Sequence, residues 1–204
     1  MRLVLVSFTL AVVIGYLLGG RLSGLSTLKV RWFPLALVGL VMQMAPVPGN
    51  RWPVLMLYAS FVLLLLFAAL NIKVAGFLFI AVGIVLNFTV IAANGGMPVS
   101  RTSLISSGQG DTLAALVTSG GAKHHLATGS DKLIVLGDVI AIPPPVAQSV
   151  SIGDVFTYFG VAWLIVAGMR RRVPVAGRDV DAEGDPEGDP MMASAAPGGS
   201  DDRA

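Results

Sequence analysis

Forty consecutive residues, Val54 to Ala93, carry a single charge, Lys73. It sits in a three-residue break, Asn71-Ile72-Lys73, between two long apolar runs. Runs of this length match the thickness of a bilayer core, and only helices and closed barrels satisfy their backbone there. Two such runs joined by so short a break read as an antiparallel helical hairpin. Leu3–Leu18, Trp32–Ala45 and Val155–Met169 are three further apolar runs. Composition agrees: 54% of the 204 residues are hydrophobic and 13% charged. That is half the roughly 25% charge of a soluble domain, which excludes an ordinary soluble enzyme and a disordered chain alike. The expectation is an all-α, polytopic membrane helix bundle of about five transmembrane helices, near 3–18, 32–45, 54–70, 74–93 and 155–169, with a partly structured outer loop.

The second run is short for a span, with Pro34 near its start and a turn at Pro46-Val47-Pro48-Gly49-Asn50 after it. Only Arg2 precedes the first run, while Arg21, Lys29 and Arg31 follow it. That pattern favours a retained helix over a cleavable signal peptide. Charge sets the expected orientation. Residues 1–172 hold twelve basic and four acidic residues, and 173–204 hold two basic and eight acidic. The basic residues of the body lie in short loops, where they orient helices rather than bind nucleic acid. Arg170-Arg171-Arg172 and Lys73 put the C-terminus in the cytoplasm, the N-terminus outside and the segment 94–153 outside. The membrane domain covers 1–172. The tail 173–204, with Glu-Gly-Asp-Pro twice, reads as a disordered acidic cytoplasmic segment.

No cysteine occurs, so thiolate metal sites and cysteine nucleophiles are excluded. The four acids of the body, Asp111, Asp131, Asp138 and Asp154, all lie in the outer cap and its exit. Asp111 reads as the N-cap of a short helix that Gly120-Gly121 ends. Asn94 reads as a cap of the fourth helix or as an amide offered to a ligand. His124 and His125 are adjacent, so in a strand they point to opposite faces and cannot easily share a metal. No metal set and no cofactor motif is apparent. Asp138 lies inside the apolar stretch Leu133–Ile142, an extended or re-entrant piece stopped by Pro143-Pro144-Pro145. An ionisable group in such a place is a functional candidate. Ser151 reads as the N-cap of the last helix with Asp154 at N3, a variant capping box. Gly-Asp-Val occurs twice, at 137–139 and 153–155, so the two carboxylates could face each other at the outer boundary. Gln43 and Asn87 are the main strong polar groups in the spans and read as interhelical hydrogen-bonding residues.

The ordered set Asn94-Gly95-Gly96-Met97-Pro98, Leu136-Gly137-Asp138-Val139-Ile140 and Ser151-Ile152-Gly153-Asp154-Val155 resembles a bacterial family of small membrane proteins catalogued as a domain of unknown function. The resemblance covers roughly 1–172 and implies a multi-pass protein of the bacterial inner (plasma) membrane. A weaker likeness is mechanistic. Asp138-Val139-Ile140 and Ile152-Gly153-Asp154 look similar to the catalytic stretches of lipoprotein signal peptidase, a membrane aspartyl peptidase. Its Asn-x-x-Asp-Arg motif is missing, because Ile134-Val135-Leu136-Gly137 precedes Asp138. That likeness would imply a dyad in which one carboxylate activates water and the other holds a proton.

Three functions follow from different classes. The favoured one is a binding or scaffold protein acting through its outer cap 94–153, with Asn94 and His124 as binding candidates. Its partners would be the lipid bilayer and another membrane protein or a lipid-linked ligand. An intramembrane aspartyl-type hydrolase using Asp138 and Asp154 is the alternative, and a small transporter or channel subunit the second. No span carries a charge, which weighs against an ion path.

Overall fold

The computed structural model describes residues 2–45, 52–121 and 123–171. The 46–50 turn and the 173–204 tail lie outside the described residues. Among the described residues seven α-helices form: α1 (Arg2–Leu17), α2 (Phe33–Met44), α3 (Trp52–Leu70), α4 (Phe77–Asn94), α5 (Arg101–Ser106), α6 (Gly110–Ser119) and α7 (Ile152–Met169). Four three-residue strands lie between α4 and α7: β1 (Met97–Val99), β2 (His124–Leu126), β3 (Ile140–Ile142) and β4 (Gln148–Val150). β1 and β2 pair in parallel, with Met97 opposite His124, and β3 and β4 pair antiparallel.

Among the described residues three helices, α3, α4 and α7, are long and apolar enough to cross a membrane, and α1 and α2 are shorter apolar helices. At 1.5 Å per residue the twelve residues of α2 extend about 18 Å, short of a ~30 Å core. Large apolar side chains such as Leu5, Phe8, Leu37, Leu55, Leu78 and Trp163 stand on the surface. Water would penalise that surface; lipid would not.

Packing runs α2–α3–α4–α7–α1. At its centre, α4 and α7 meet through glycines seven residues apart on each side. A Cβ at Gly160 would press on the Gly76 carbonyl oxygen at 2.7 Å, and one at Gly153 would meet the Gly83 carbonyl oxygen at 2.7 Å. The two backbones therefore touch where a side chain would hold them apart. Gly76 also has φ +88°, so the turn after α3 extends to residue 76 and α4 begins at Phe77, later than the apolar run suggests. Phe61, Phe77, Ile84, Val90 and Ile91 fill the core between α3 and α4.

The two ends of the bundle are tied differently. At one end the Asn71 amide holds the segment before α2: it accepts from Arg31 N–H at 2.7 Å and donates to the Arg31 carbonyl at 2.9 Å. There too, Arg21 N–H closes the end of α7 by donating to the Met169 carbonyl at 2.8 Å. At the other end sits the cap, residues 95–151. Arg2 reaches it through the Pro145 carbonyl, 3.3 Å away. Lys123 of the cap donates to the carbonyls of Met42, Gln43 and Ala45, which closes the C-terminus of α2. The start of α1 and the end of α7 thus lie at opposite ends of the bundle.

Candidate functional site

The first part of the site is the start of α7. Ser151 is its N-cap and Asp154 its N3 residue, in the expected capping box. Asp154 N–H donates to Ser151 Oγ at 2.9 Å, and Ser151 N–H donates to Asp154 Oδ2 at 3.1 Å. Asn87 of α4 completes the set. Its Nδ2 donates to Asp154 Oδ1 at 2.8 Å, and its Oδ1 accepts from Ser151 Oγ at 2.8 Å. Asn87 approaches only because residue 153 is glycine, where a Cβ would collide with the Asn87 amide. Asn87 is the interhelical bonding residue expected; at Gln43 the backbone carbonyl is held by Lys123.

The second part is Asp138. It follows Gly137, where a Cβ would lie 2.5 Å from the Pro98 carbonyl oxygen. The chain can therefore run against β1: Asp138 N–H donates to Pro98 O at 3.0 Å, and Ser100 N–H donates to Asp138 O at 3.0 Å. The Ser103 and Ser149 hydroxyls reach the same carbonyl at 2.8 and 3.0 Å. Both glycines of the repeated Gly-Asp-Val thus serve one purpose, letting backbone or amide come close beside an aspartate. The Asp138 backbone is fully engaged, but the side chain is not. The residue is 8% exposed, and its Oδ1 is buried without a hydrogen-bond partner. Burial, reinforced by the charge of Asp154, pushes the Asp138 carboxyl up to about 8. It is therefore protonated at neutral pH.

His124 comes from β2, its Nε2 3.9 Å from Asp138 Oδ2. Its side chain is 55% exposed, but it lines the same cavity, and the surrounding protein lowers its pKa, partly offset by Asp154. At pH 7 a neutral acid faces a neutral imidazole, so this contact is not an ion pair. His125 points the other way, as adjacent strand residues must. It pairs with Asp131 at 3.0 Å. Asp131 also accepts from the Thr128 N–H, which holds its carboxyl below the usual range.

Asp138, Asp154 and His124 line one cavity of about 850 Å³ between α3, α4, α7 and the cap. Leu57, Phe61, Ile91, Leu104 and Leu116 supply apolar wall, and Asn87, Gln109, Gln148 and Tyr158 supply polar groups. Among the described residues no three acidic or histidine groups converge as metal ligands would. Asn94 is not among the lining residues. Its amide donates to the Lys132 carbonyl at 2.9 Å and accepts from Lys132 N–H at 2.7 Å, pinning the cap backbone. Asp111 lies in the first turn of α6, whose N-cap position is Gln109. The helix starts earlier than expected because Gln109 is drawn inward, its Oε1 accepting from Ser107 and from Ser149 N–H. Sequence alone gave no sign of Gln109, Gln148 or Tyr158, which belong to elements distant in the chain.

The arrangement departs from a shared-proton dyad. Both oxygens of Asp154 serve the helix start, one toward Asn87 and one toward Ser151 N–H. Asp138 makes no hydrogen bond to it. Each Asp154 oxygen already accepts one hydrogen bond from the helix start, and a water held there would have to share that oxygen.

A family model described as a family of unknown function (DUF5317) matches residues 27–166. The chain belongs to that family, as the motif set around Asn94, Asp138 and Asp154 suggested. An uncharacterized protein of Thermotoga maritima (strain ATCC 43589 / DSM 3109 / JCM 10099 / NBRC 100826 / MSB8) is 28% identical over 148 residues, covering 71% of this chain and 80% of that protein. No solved structure matches. These comparisons do not show the likeness to lipoprotein signal peptidase.

Proposed function

We propose that the protein is a multi-pass membrane protein that binds an amphiphilic small molecule in the cavity beneath its cap. One observation carries the reading: a cavity of about 850 Å³, apolar on the α3 and α4 side, has in its wall a buried carboxyl with an unpartnered oxygen. Buried polar atoms are nearly always satisfied, and one left open beside a cavity is an offer to a ligand. The cavity is large enough for a small amphiphile and lies at one end of the helices, where a molecule could arrive from the bilayer. A scaffold role through 94–153 would not need a cavity of this kind.

The location we propose is the outer face of a bacterial plasma membrane, with five helices crossing or entering the bilayer. Arg21, Lys29, Arg31, Lys73, Arg170 and Arg171 cluster at the end away from the cap, which favours that end being cytoplasmic. The N-terminus is then outside and the C-terminus inside.

The test is native mass spectrometry of the full-length protein released from lipid nanodiscs. We expect a bound amphiphile that is lost in Leu116→Trp, which fills the cavity from a half-buried wall position. The same adducts on wild type and Leu116→Trp, or none on either, would refute the reading.

A further inference from the structure

Resting on that reading, we infer that the cavity selects an organic cation: a protonated amine carried on an apolar body, whose N–H groups bond to Asp138 with Asp154 nearby. The inference comes from how the charged groups of the wall are used. Arg2 and Lys123 both line the cavity, yet each is turned to backbone carbonyls, Arg2 to Pro145 and Lys123 to the end of α2. The two carboxylates receive no Lys or Arg among the described residues. Within the ion-pair limit their titratable neighbour among the described residues is His124, neutral at pH 7 and 3.9 Å from Asp138. Asp154 at least has two hydrogen bonds, whereas Asp138 Oδ1 has none. The neutral donors nearest the two carboxyls are turned elsewhere: the Asn87 amide serves Asp154, and the Ser103 and Ser149 hydroxyls sit at the Asp138 backbone carbonyl. The Asp138 carboxyl therefore has neither a donor nor a cation directed at it, and an ammonium supplies both.

An ammonium arriving at a protonated Asp138 displaces its proton, which leaves to solvent as the carboxylate pairs with the cation. Binding then strengthens as pH rises. The titratable groups that bear on Asp138 are His124 and Lys123 at β2, Asp154 and Tyr158 on α7, and Arg2 on α1. His124 is neutral above its lowered pKa, so the rise near pH 8 belongs to Asp138. An anion would meet the opposite, since Asp154 repels it. A neutral alcohol would bind without pH dependence.

The experiment is calorimetric titration of the full-length protein in nanodiscs with octylammonium, 1-octanol and octanoate, with empty nanodiscs as baseline, at pH 6, 7 and 9. We expect octylammonium to bind at least about 10-fold more tightly than the other two at pH 9, the range of a charge-assisted hydrogen bond. Its affinity should fall several-fold from pH 9 to 7, and Asp138→Asn should remove both the preference and the pH dependence. Equal binding of the three probes would overturn the cation selectivity and leave the binding cavity standing. No binding of any probe above the nanodisc baseline would overturn the cavity reading itself. Should Asp138→Asn fail to fold, the pH series on wild type decides: an octylammonium affinity unchanged from pH 6 to 9 refutes the proposal.

Discussion

Replacing Asp138 by Asn should make the protein more stable, by an amount that grows with pH. The carboxyl is 8% exposed and pushed up to about 8 from an ordinary 3.8. Between those values the folded protein keeps the proton and the unfolded chain has lost it. The unfolded state then binds fewer protons, so stability falls as pH rises, at about 1.4 kcal/mol per pH unit. The stability that the neutral acid supports is fully present below pH 3.8 and lost as pH climbs to 8. Across that window the loss is on the order of 5 kcal/mol. Asn has the same shape and no charge, so it does not suffer this loss. The assay is thermal unfolding of wild type and Asp138→Asn in one mild detergent, at each pH from 5 to 9. The two melting temperatures should be closest at pH 5, separate steadily toward pH 8 with the variant higher, and stay parallel beyond. A constant gap, or a variant that melts lower at pH 8 than at pH 5 relative to wild type, would refute the assignment of a neutral buried acid.

Gly160→Ala should destabilise the bundle by roughly 1–3 kcal/mol, the range for overpacking a tight contact, because its Cβ meets the Gly76 carbonyl and α4; an unchanged melting temperature would contradict the glycine contact. Asp154→Ala should cost roughly 2–4 kcal/mol, from the lost cap and the orphaned Asn87 amide, and Asp154→Asn clearly less; equal losses in the melting assay would count against the capping role. Asn94→Ala should speed trypsin cleavage after Lys132 in the folded protein, since Asn94 holds both backbone groups of that residue; an unchanged cleavage rate would show the pin to be idle. Lys123→Met should cost about 1 kcal/mol of the charge-to-helix-end attraction and quicken hydrogen exchange in the last turn of α2, with no change there as the contrary result.

Much of the helical frame was legible because apolar runs need no partner to be recognised. The spans of α3, α4 and α7 follow from length and hydropathy, and the start of α7 follows from Ser151 and Asp154 three residues apart. Opposite placement of His124 and His125 came from the two-residue period of a strand. Other features were hidden because they depend on distant pairing. β1 and β2 have three residues each, too short for alternation to register, yet their pairing delivers His124 to Asp138. Asn87 was recognisable as a bonding residue but not as the partner of Asp154, since 67 residues separate them. For Asn94 the sequence left a helix cap and a ligand amide open, because an amide beside two glycines looks the same in either role; its bonds to the Val90 carbonyl and to Lys132 agree with the cap. The cavity is a property of several elements together, and no local pattern announces it.

The central claim is that Asp138 is a buried acid waiting for a ligand. Infrared difference spectroscopy of its protonated carboxyl, taken as wild type minus Asp138→Asn across pH 5 to 10, tests it directly. Without ligand the band should vanish with a midpoint near pH 8, and saturating octylammonium should move that midpoint downward. A midpoint in the ordinary carboxyl range near pH 4, or one that octylammonium leaves in place, would contradict the account.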